Sequence, residues 1–400
     1  MANLTTTAAS NGEAKATRQE VPTLDDARTE ANAWAAQTKA AVPEKDAPID
    51  GLLLCAIAKT NMIMYGPPGT AKSMLARLFG DAIVGRVFDI LMTRFTGPAE
   101  LNGGVDVQAL KQGHNRRITK GYLPEADVAF LDEGYKANSA CLNTMLTAVN
   151  EHKFHDDGEL KPIPLRCAIL ASNEFPEDND NLGAFDDRFP MRFEVKPLQN
   201  PDNFSALMKG ELPRVTARLR VSSLDVLNAH AGLIEVGDDA VQAMWTLRNK
   251  LAEKGIYASD RKFVAACSLL RARAALVGSP RVTTAHLGVL EHILWLRPDQ
   301  KAIVRELVRE HVASWLRDLR AAADIVDEQE SAMASAIKGK GNLSSTMNAI
   351  AKVAQKLKEL DADVLDNLAS VPEATEDVAR LRDRVASVLK RGREATAKLY

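Results

Sequence analysis

The sequence predicts an α/β fold, a parallel-sheet core followed by a long all-helical region. Three observations carry this. Between residue 61 and about residue 200, short β-like runs alternate with helical patterns, the rhythm of βαβ units around a largely parallel sheet. One strand-to-helix junction in that region is glycine-rich and ends in a lysine and a serine, as a phosphate loop does. From about 205 onward the apolar residues recur at helical spacing.

Each element follows in order. Residues 1–20 are polar and Ala/Thr/Ser-rich, and a disordered N-terminal segment is expected over 1–22. An α/β domain is expected over 23–205. It opens with helical periodicity over 24–60, ending in the apolar run Leu52, Leu53, Leu54, Ala56, Ile57. The strand candidates are NMIMY (61–65), RVFDIL (86–91), VAFLD (128–132), RCAILAS (166–172) and MRFEV (191–195). HKFHDDGELKPI (152–163) reads as a β-hairpin turning at Asp157-Gly158. A helical domain is expected over 206–298, broken at Pro213, Gly255 and Gly278–Pro280. A charge-rich C-terminal helical bundle is expected over 299–400. There Leu343, Met347, Ile350, Ala354 and Leu357, and then Val378, Leu381, Val385 and Val388, keep a/d spacing. These heptads are short, so they predict a bundle packed on itself rather than an intermolecular coiled coil. KGKGN (338–342) is the expected turn within it.

The formal net charge of −2 offers no global basic field for nucleic acid or an anionic membrane. Cys55, Cys141, Cys167 and Cys267 form no CxxC pair and sit in apolar runs, so four buried, reduced thiols are expected. The N-terminus lacks an apolar h-region, and no stretch approaches the roughly 20 apolar residues of a membrane span. The expectation is a cytoplasmic protein.

Gly66, Pro67, Pro68, Gly69, Thr70, Ala71, Lys72 and Ser73, with Met74 opening the next helix, form the candidate phosphate loop. Glycines let successive N–H groups turn toward phosphate oxygens, and the helix N-terminus adds its positive dipole end. Lys72 suits the β- and γ-phosphates, and the Ser73 hydroxyl suits magnesium. Ala71 stands where a second glycine is usual. About 60 residues beyond Lys72, the buried run 128–131 ends in Asp132 and Glu133 at the carboxyl edge of the sheet. Asp132 suits magnesium, and Glu133 suits polarisation of an attacking water. Asn173 ends the next β-run on that edge and could orient the water. Arg188 and Arg261 are the candidates for completing a phosphoryl-transfer site. Arg192, inside MRFEV, is the rival of Arg188. His152-x-x-His155 is set aside as a metal pair, because i and i+3 on a strand face opposite sides. Arg116, Arg117 and Lys120 read as a solvated basic face, with a ring pore as the alternative.

The stretches MYGPPGTAKSMLAR, LMTRFTGPAEL, ITKGYLPEADVAFLDE, LNTMLTAVNE, ILASNEFPE, AFDDRF and SDRKF run in order from about 50 to 290. Together they resemble the AAA+ ATPases, within them the MoxR branch, and most closely its RavA-like group. The resemblance implies an AAA+ nucleotide-binding domain over 23–205 and a helical lid over 206–298, with ATP and Mg2+ bound. It makes Lys72 and Ser73 the Walker A pair, Asp132 and Glu133 the Walker B pair, Asn173 sensor 1, Arg188 the arginine finger and Arg261 sensor 2. Residues 93–112 match the helix-2 insert and 152–163 the pre-sensor-1 hairpin, which in the family contact substrate or partner. Three departures stand out. Gly134-Tyr135 replaces a bulkier apolar pair and is expected to loosen the next helix start. Asn102-Gly103-Gly104 is expected to bend the helix-2 insert. The β-rich insertion of RavA-like C-terminal regions is missing.

The function this implies is ATP hydrolysis by a ring, expected to be hexameric, that remodels a protein client, often with a von Willebrand factor A (VWA) domain partner. Two alternatives stand beside it. One is a nucleic-acid-stimulated motor, which the near-neutral charge and the MoxR-type stretches argue against. The other is a nucleotide-gated scaffold with little turnover, which an intact Glu133, Arg188 and Arg261 argue against.

Overall fold

The computed structural model describes residues 21–174, 187–311, 314–338, 343–365 and 375–397. The expected disordered segment, but for residues 21 and 22, and nearly all of the KGKGN turn lie outside the described residues, as does the end of ILASNEFPE.

Helix α1 (Leu24–Ala41) starts at a reciprocal cap. The Thr23 hydroxyl accepts from the Asp26 N–H at 3.1 Å, and the Asp26 carboxylate accepts from the Thr23 N–H at 3.2 Å. Its buried stripe, Ala27, Ala31, Trp34, Ala35 and Thr38, keeps helical spacing. Trp34 meets Phe79 edge-on, with ring centroids 5.2 Å apart. Helix α2 (Asp46–Ala58) is buried almost all round, which explains its unbroken apolar run.

Strands β1 (Met62–Tyr65), β3 (Val87–Leu91), β4 (Val128–Asp132), β5 (Lys153–Asp156), β6 (Glu159–Pro162), β7 (Cys167–Ser172) and β8 (Met191–Glu194) follow the expected runs closely, while the short β2 (Ile83–Val84) was not expected. The main sheet has the order β3-β4-β7-β1-β8, parallel throughout. Alternate residues serve two cores. Met62, Met64, Val128, Phe130, Ile169 and Ala171 face the first core, while Ile63, Ala129, Leu131, Ala168 and Leu170 face the second. Burial on both faces is why these strands read as solid apolar runs. Helices α3 (Lys72–Ala82) and α6 (Ser139–Glu151) flank this sheet, and the short α4 (Pro98–Asn102) and α5 (Val107–Lys111) lie in the insertion between β3 and β4, where α5 buries no residue.

Hairpin β5–β6 turns at Asp157-Gly158 and is joined to the segment between α5 and β4. Asp157 Oδ1 accepts from the Asn115 N–H at 2.7 Å, and Asp156 Oδ1 from the Arg117 N–H at 2.8 Å. Arg116 stands 3.5 Å from Asp157, and Arg117 donates to the Gly103 carbonyl at 3.1 Å. Two members of the expected basic face therefore staple the two insertions together. Gly103 is the bend expected there: its φ of +87°, and an Ile118 carbonyl lying where a Cβ would go, both demand glycine.

Helix α7 (Pro201–Lys209) leads to the region expected to be helical throughout. Helices α8 (Val221–Leu233), α9 (Asp238–Glu253) and α10 (Asp260–Val277) are present, but so are short strands. β9 (Leu219–Arg220) pairs with β2, and β10 (Glu235–Val236) pairs with β11 (Arg281–Val282), both in parallel. Before β9 the reason is local. Helix α7 ends at the left-handed Gly210, and Gln37 Oε1 accepts from the N–H groups of Thr216 and Ala217 at 3.0 Å each, which supports an extended chain. Cys55, Cys141 and Cys167 are buried as expected, whereas Cys267 is only half-buried; all four are free thiols.

Helix α11 (Lys301–His311) gives Val304, Leu307 and Val308 to the first core. Helices α12 (Ser314–Lys338), α13 (Leu343–Leu360) and α14 (Thr375–Ala397) bury a third, separate core that includes Val326, Ile350, Leu357, Val378, Leu381, Val385 and Val388. The short heptads thus close on one another within the chain. No described helix is long and apolar enough to cross a membrane.

Candidate active site

The carboxyl edge of the sheet opens into a pocket of about 780 Å³. The loop between β1 and α3 forms one wall. Gly66 is required there, because its φ is +148° and a Cβ would collide with the Val195 carbonyl. Thr70 pins the loop by donating to the Pro67 carbonyl at 2.9 Å. Ala71 takes φ +76° as the N-cap of α3, the left-handed turn for which glycine is usual. Pro68, Gly69, Thr70, Ala71, Lys72, Ser73 and Met74 line the pocket; Gly66 and Pro67 stand behind it.

The polar side chains are already joined. Lys72 is buried, and its Nζ donates to the carbonyls of Gly66 (2.6 Å) and Pro67 (2.9 Å) and to Asn173 Oδ1 (2.9 Å). Burial lowers its pKa from the usual lysine value, while Glu133 and Asp132 work the other way. Asn173 Nδ2 donates to Glu133 Oε1. Lys136 stands 3.3 Å from the other oxygen of Glu133. Ser73 Oγ donates to Asp132 Oδ2 at 3.0 Å. That hydroxyl and carboxylate are hard oxygen donors at the pocket edge, which fits magnesium with water filling its remaining positions. Loop, strand ends and α3 thus bring Lys72, Ser73, Asp132, Glu133 and Asn173 to one place.

Glu133 itself lies in the left-handed region (φ 54°), and a short turn, Gly134–Lys136, follows it. A Cβ on Gly134 would come within 2.6 Å of the Leu170 side chain, so glycine lets this turn press onto β7. The next helix start is not loosened, because the Asn138 side chain accepts from the Cys141 N–H at 3.0 Å and caps α6.

Arg188 and Arg261 do not line this pocket. They gather elsewhere, on Asp187. Arg261 Nη1 is 3.3 Å and Arg188 Nη1 4.0 Å from the same oxygen, Asp187 Oδ2. Asn61 holds the Arg188 backbone by donating to its carbonyl at 3.0 Å, and Phe189 beside it is fully buried. Arg188 Nε and Nη1 have no hydrogen-bond partner among the described residues. Arg192, by contrast, is buried in β8. It donates to the Leu296 carbonyl at 3.3 Å and lies 5.9 Å over the Trp295 ring.

The far wall of the pocket was missed by sequence reasoning. Ala41, Val42, Pro43, Pro197, Leu198, Phe204, Leu207, Met208 and Leu212 make it apolar. Phe204, Leu207 and Met208 are each about half exposed or more, although they lie on one face of α7. Their i, i+3, i+4 spacing just after the last sheet strand was the available signal.

A family model described as the MoxR domain in the MoxR-vWA-beta-propeller ternary systems matches residues 29–225, and an AAA lid domain model matches 239–308. The uncharacterized protein MJ0079 of Methanocaldococcus jannaschii is 32% identical over 285 residues, which cover 71% of this chain and 74% of that protein. The chain belongs to the MoxR family of AAA+ ATPases. A second relative of this MoxR-family protein in the same organism, MJ0812, is 34% identical over 262 residues, covering 64% of this chain and 69% of that one. The structural protein ORF618 of Acidianus two-tailed virus is 33% identical over 135 residues, only 22% of its length. Among solved structures, a candidate ATPase from Cytophaga hutchinsonii superposes with a TM-score of 0.57 over 72% of this chain and 96% of its own, at 14% identity. That likeness concerns the fold, the α/β AAA+ architecture with its helical lid.

Proposed function

We propose that this MoxR-family protein hydrolyses ATP in the pocket at the sheet edge. The observation that carries the reading is the continuous contact from Lys72 through Asn173 to Glu133, beside the Ser73–Asp132 pair. Lys72 is placed to meet the β- and γ-phosphates, and the apolar wall around Phe204 and Met208 to hold the base. Ser73 and Asp132 would hold magnesium, which supplies charge neutralisation at the phosphates. Asn173 and Glu133 orient and polarise the attacking water.

Arg188 and Arg261 lie outside their own pocket, so the reading assigns both to the pocket of a neighbouring subunit. A closed ring, hexameric by family resemblance, supplies that neighbour. Remodelling of a protein client rests on the same resemblance alone, while a VWA-domain partner rests on it and on the matched family model's description. Membership of the RavA-like group and a cytoplasmic setting rest on the sequence alone. The joined insertions offer the client an apolar surface of Val105, Val107, Leu110, Ile118 and Leu160, all exposed.

Magnesium-dependent phosphate release tests the activity. Lys72→Ala is expected to lose tight ATP binding and turnover together, because the loop backbone alone leaves the phosphate charge under-compensated. Wild-type nucleotide affinity in that variant would refute the assignment.

A further inference from the structure

Asp187 is the meeting point of two elements that are far apart in the chain. Its Oδ2 faces Nη1 of both Arg188 and Arg261, and its Oδ1 accepts from Ser259 Oγ at 3.3 Å. Ser259 is the N-cap of α10, and its hydroxyl oxygen also accepts from the Lys262 N–H at 3.3 Å. One carboxylate therefore ties the end of the sheet domain to the first turn of the lid helix that carries Arg261. Two guanidinium groups facing one oxygen would repel each other without the charge between them. Neither contact is a tight bidentate pair, so a phosphate with several oxygens can compete for both arginines.

We propose that Asp187 is a positioning residue that holds Arg188 and Arg261 as one unit, aimed at the phosphates bound by the neighbouring subunit. This rests on the reading of those two arginines as acting in trans. Asp187 touches no substrate. It sets the distance between the arginines and makes the lid position and the finger position interdependent, so the site is completed only when the lid helix is docked.

The test uses the full-length protein in subunit-mixing assays, with co-assembly checked by pull-down between differently tagged subunits. Asp187→Ala is expected to lower kcat about 10–100-fold, the scale of a misplaced catalytic group, while KM for ATP changes less than about twofold. Asp187→Glu, which keeps the charge, is expected to recover most of the loss. Mixing Asp187→Ala with Lys72→Ala should restore turnover, because the second variant lends correctly held arginines and the first keeps an intact pocket. Mixing Arg188→Ala with Lys72→Ala is the control and should also restore turnover. If the control mixture stays inactive despite co-assembly, the trans reading fails and the inference falls with it. If the control is rescued but Asp187→Ala alone has wild-type kcat, or stays inactive when mixed with Lys72→Ala, the role of Asp187 is overturned while the trans reading stands.

Discussion

Ala71 carries a side chain where the phosphate loop turns left-handed (φ 76°). A Cβ in that region costs roughly 1–2 kcal/mol, and glycine gives back about 0.4–1 kcal/mol through the unfolded chain. Ala71→Gly is therefore expected to stabilise the protein by about 0.5 kcal/mol in urea unfolding, with ATP turnover unchanged; a loss of stability would contradict the strained turn. The substitution at 71 was legible in the sequence because the loop motif fixes which positions turn. The need for Gly66 was legible only as motif, since the colliding carbonyl belongs to Val195, far along the chain just after β8. Asp187 was invisible for the same reason: Ser259 and Arg261 lie 72 and 74 residues away. A second residue-scale expectation concerns His292. Burial first, and then Arg305, Lys301 and Arg309, depress its pKa to about 3. The unfolded chain takes up a proton near pH 6.5 while the folded one does not. Stability is thus full above pH 6.5 and falls as pH drops from there toward 3, by at most about 1.4 kcal/mol per unit. Urea unfolding at pH 7 and pH 5 should show a smaller loss for His292→Gln than for the wild type; equal losses would contradict this.

The elements of the sheet were legible almost residue by residue, because strands buried on both faces leave unbroken apolar runs. The short strands β2, β9, β10 and β11 were not, since two residues carry no period. The pocket face of helix α7 was missed for a different reason. Phe204, Leu207 and Met208 have the helical spacing that any core face has, but they stand open to the pocket. If they hold the base, Phe204→Ala is expected to raise KM for ATP about 5–10-fold, in keeping with roughly 1–1.5 kcal/mol for an aromatic contact. kcat should change little. Titration with a fluorescent ATP analogue gives the comparison, and unchanged affinity would remove α7 from the nucleotide site.

At the scale of the whole molecule, the chain buries its apolar residues in the two cores on either side of the sheet and in a third held by α12, α13 and α14. Helix α11 belongs to the first core, and Lys301 pairs with Glu194 of β8 at 2.7 Å. A cut near Arg297 would strip that core, whereas a chain ending at His311 is expected to fold and to keep basal turnover within about threefold, since none of the described residues of the C-terminal bundle lines the pocket. Circular dichroism and phosphate release on that truncation check it; a folded protein with no activity would make the bundle part of the working assembly. The central claim is that this MoxR-family pocket cleaves ATP with Glu133 acting on the water, and Glu133→Gln tests it most directly. The amide keeps the size and the contact with Asn173 but cannot polarise water as a carboxylate does. The expected result is wild-type ATP affinity with turnover reduced at least about 100-fold, the lower end of general-base contributions. Tight binding with near-normal turnover would contradict it.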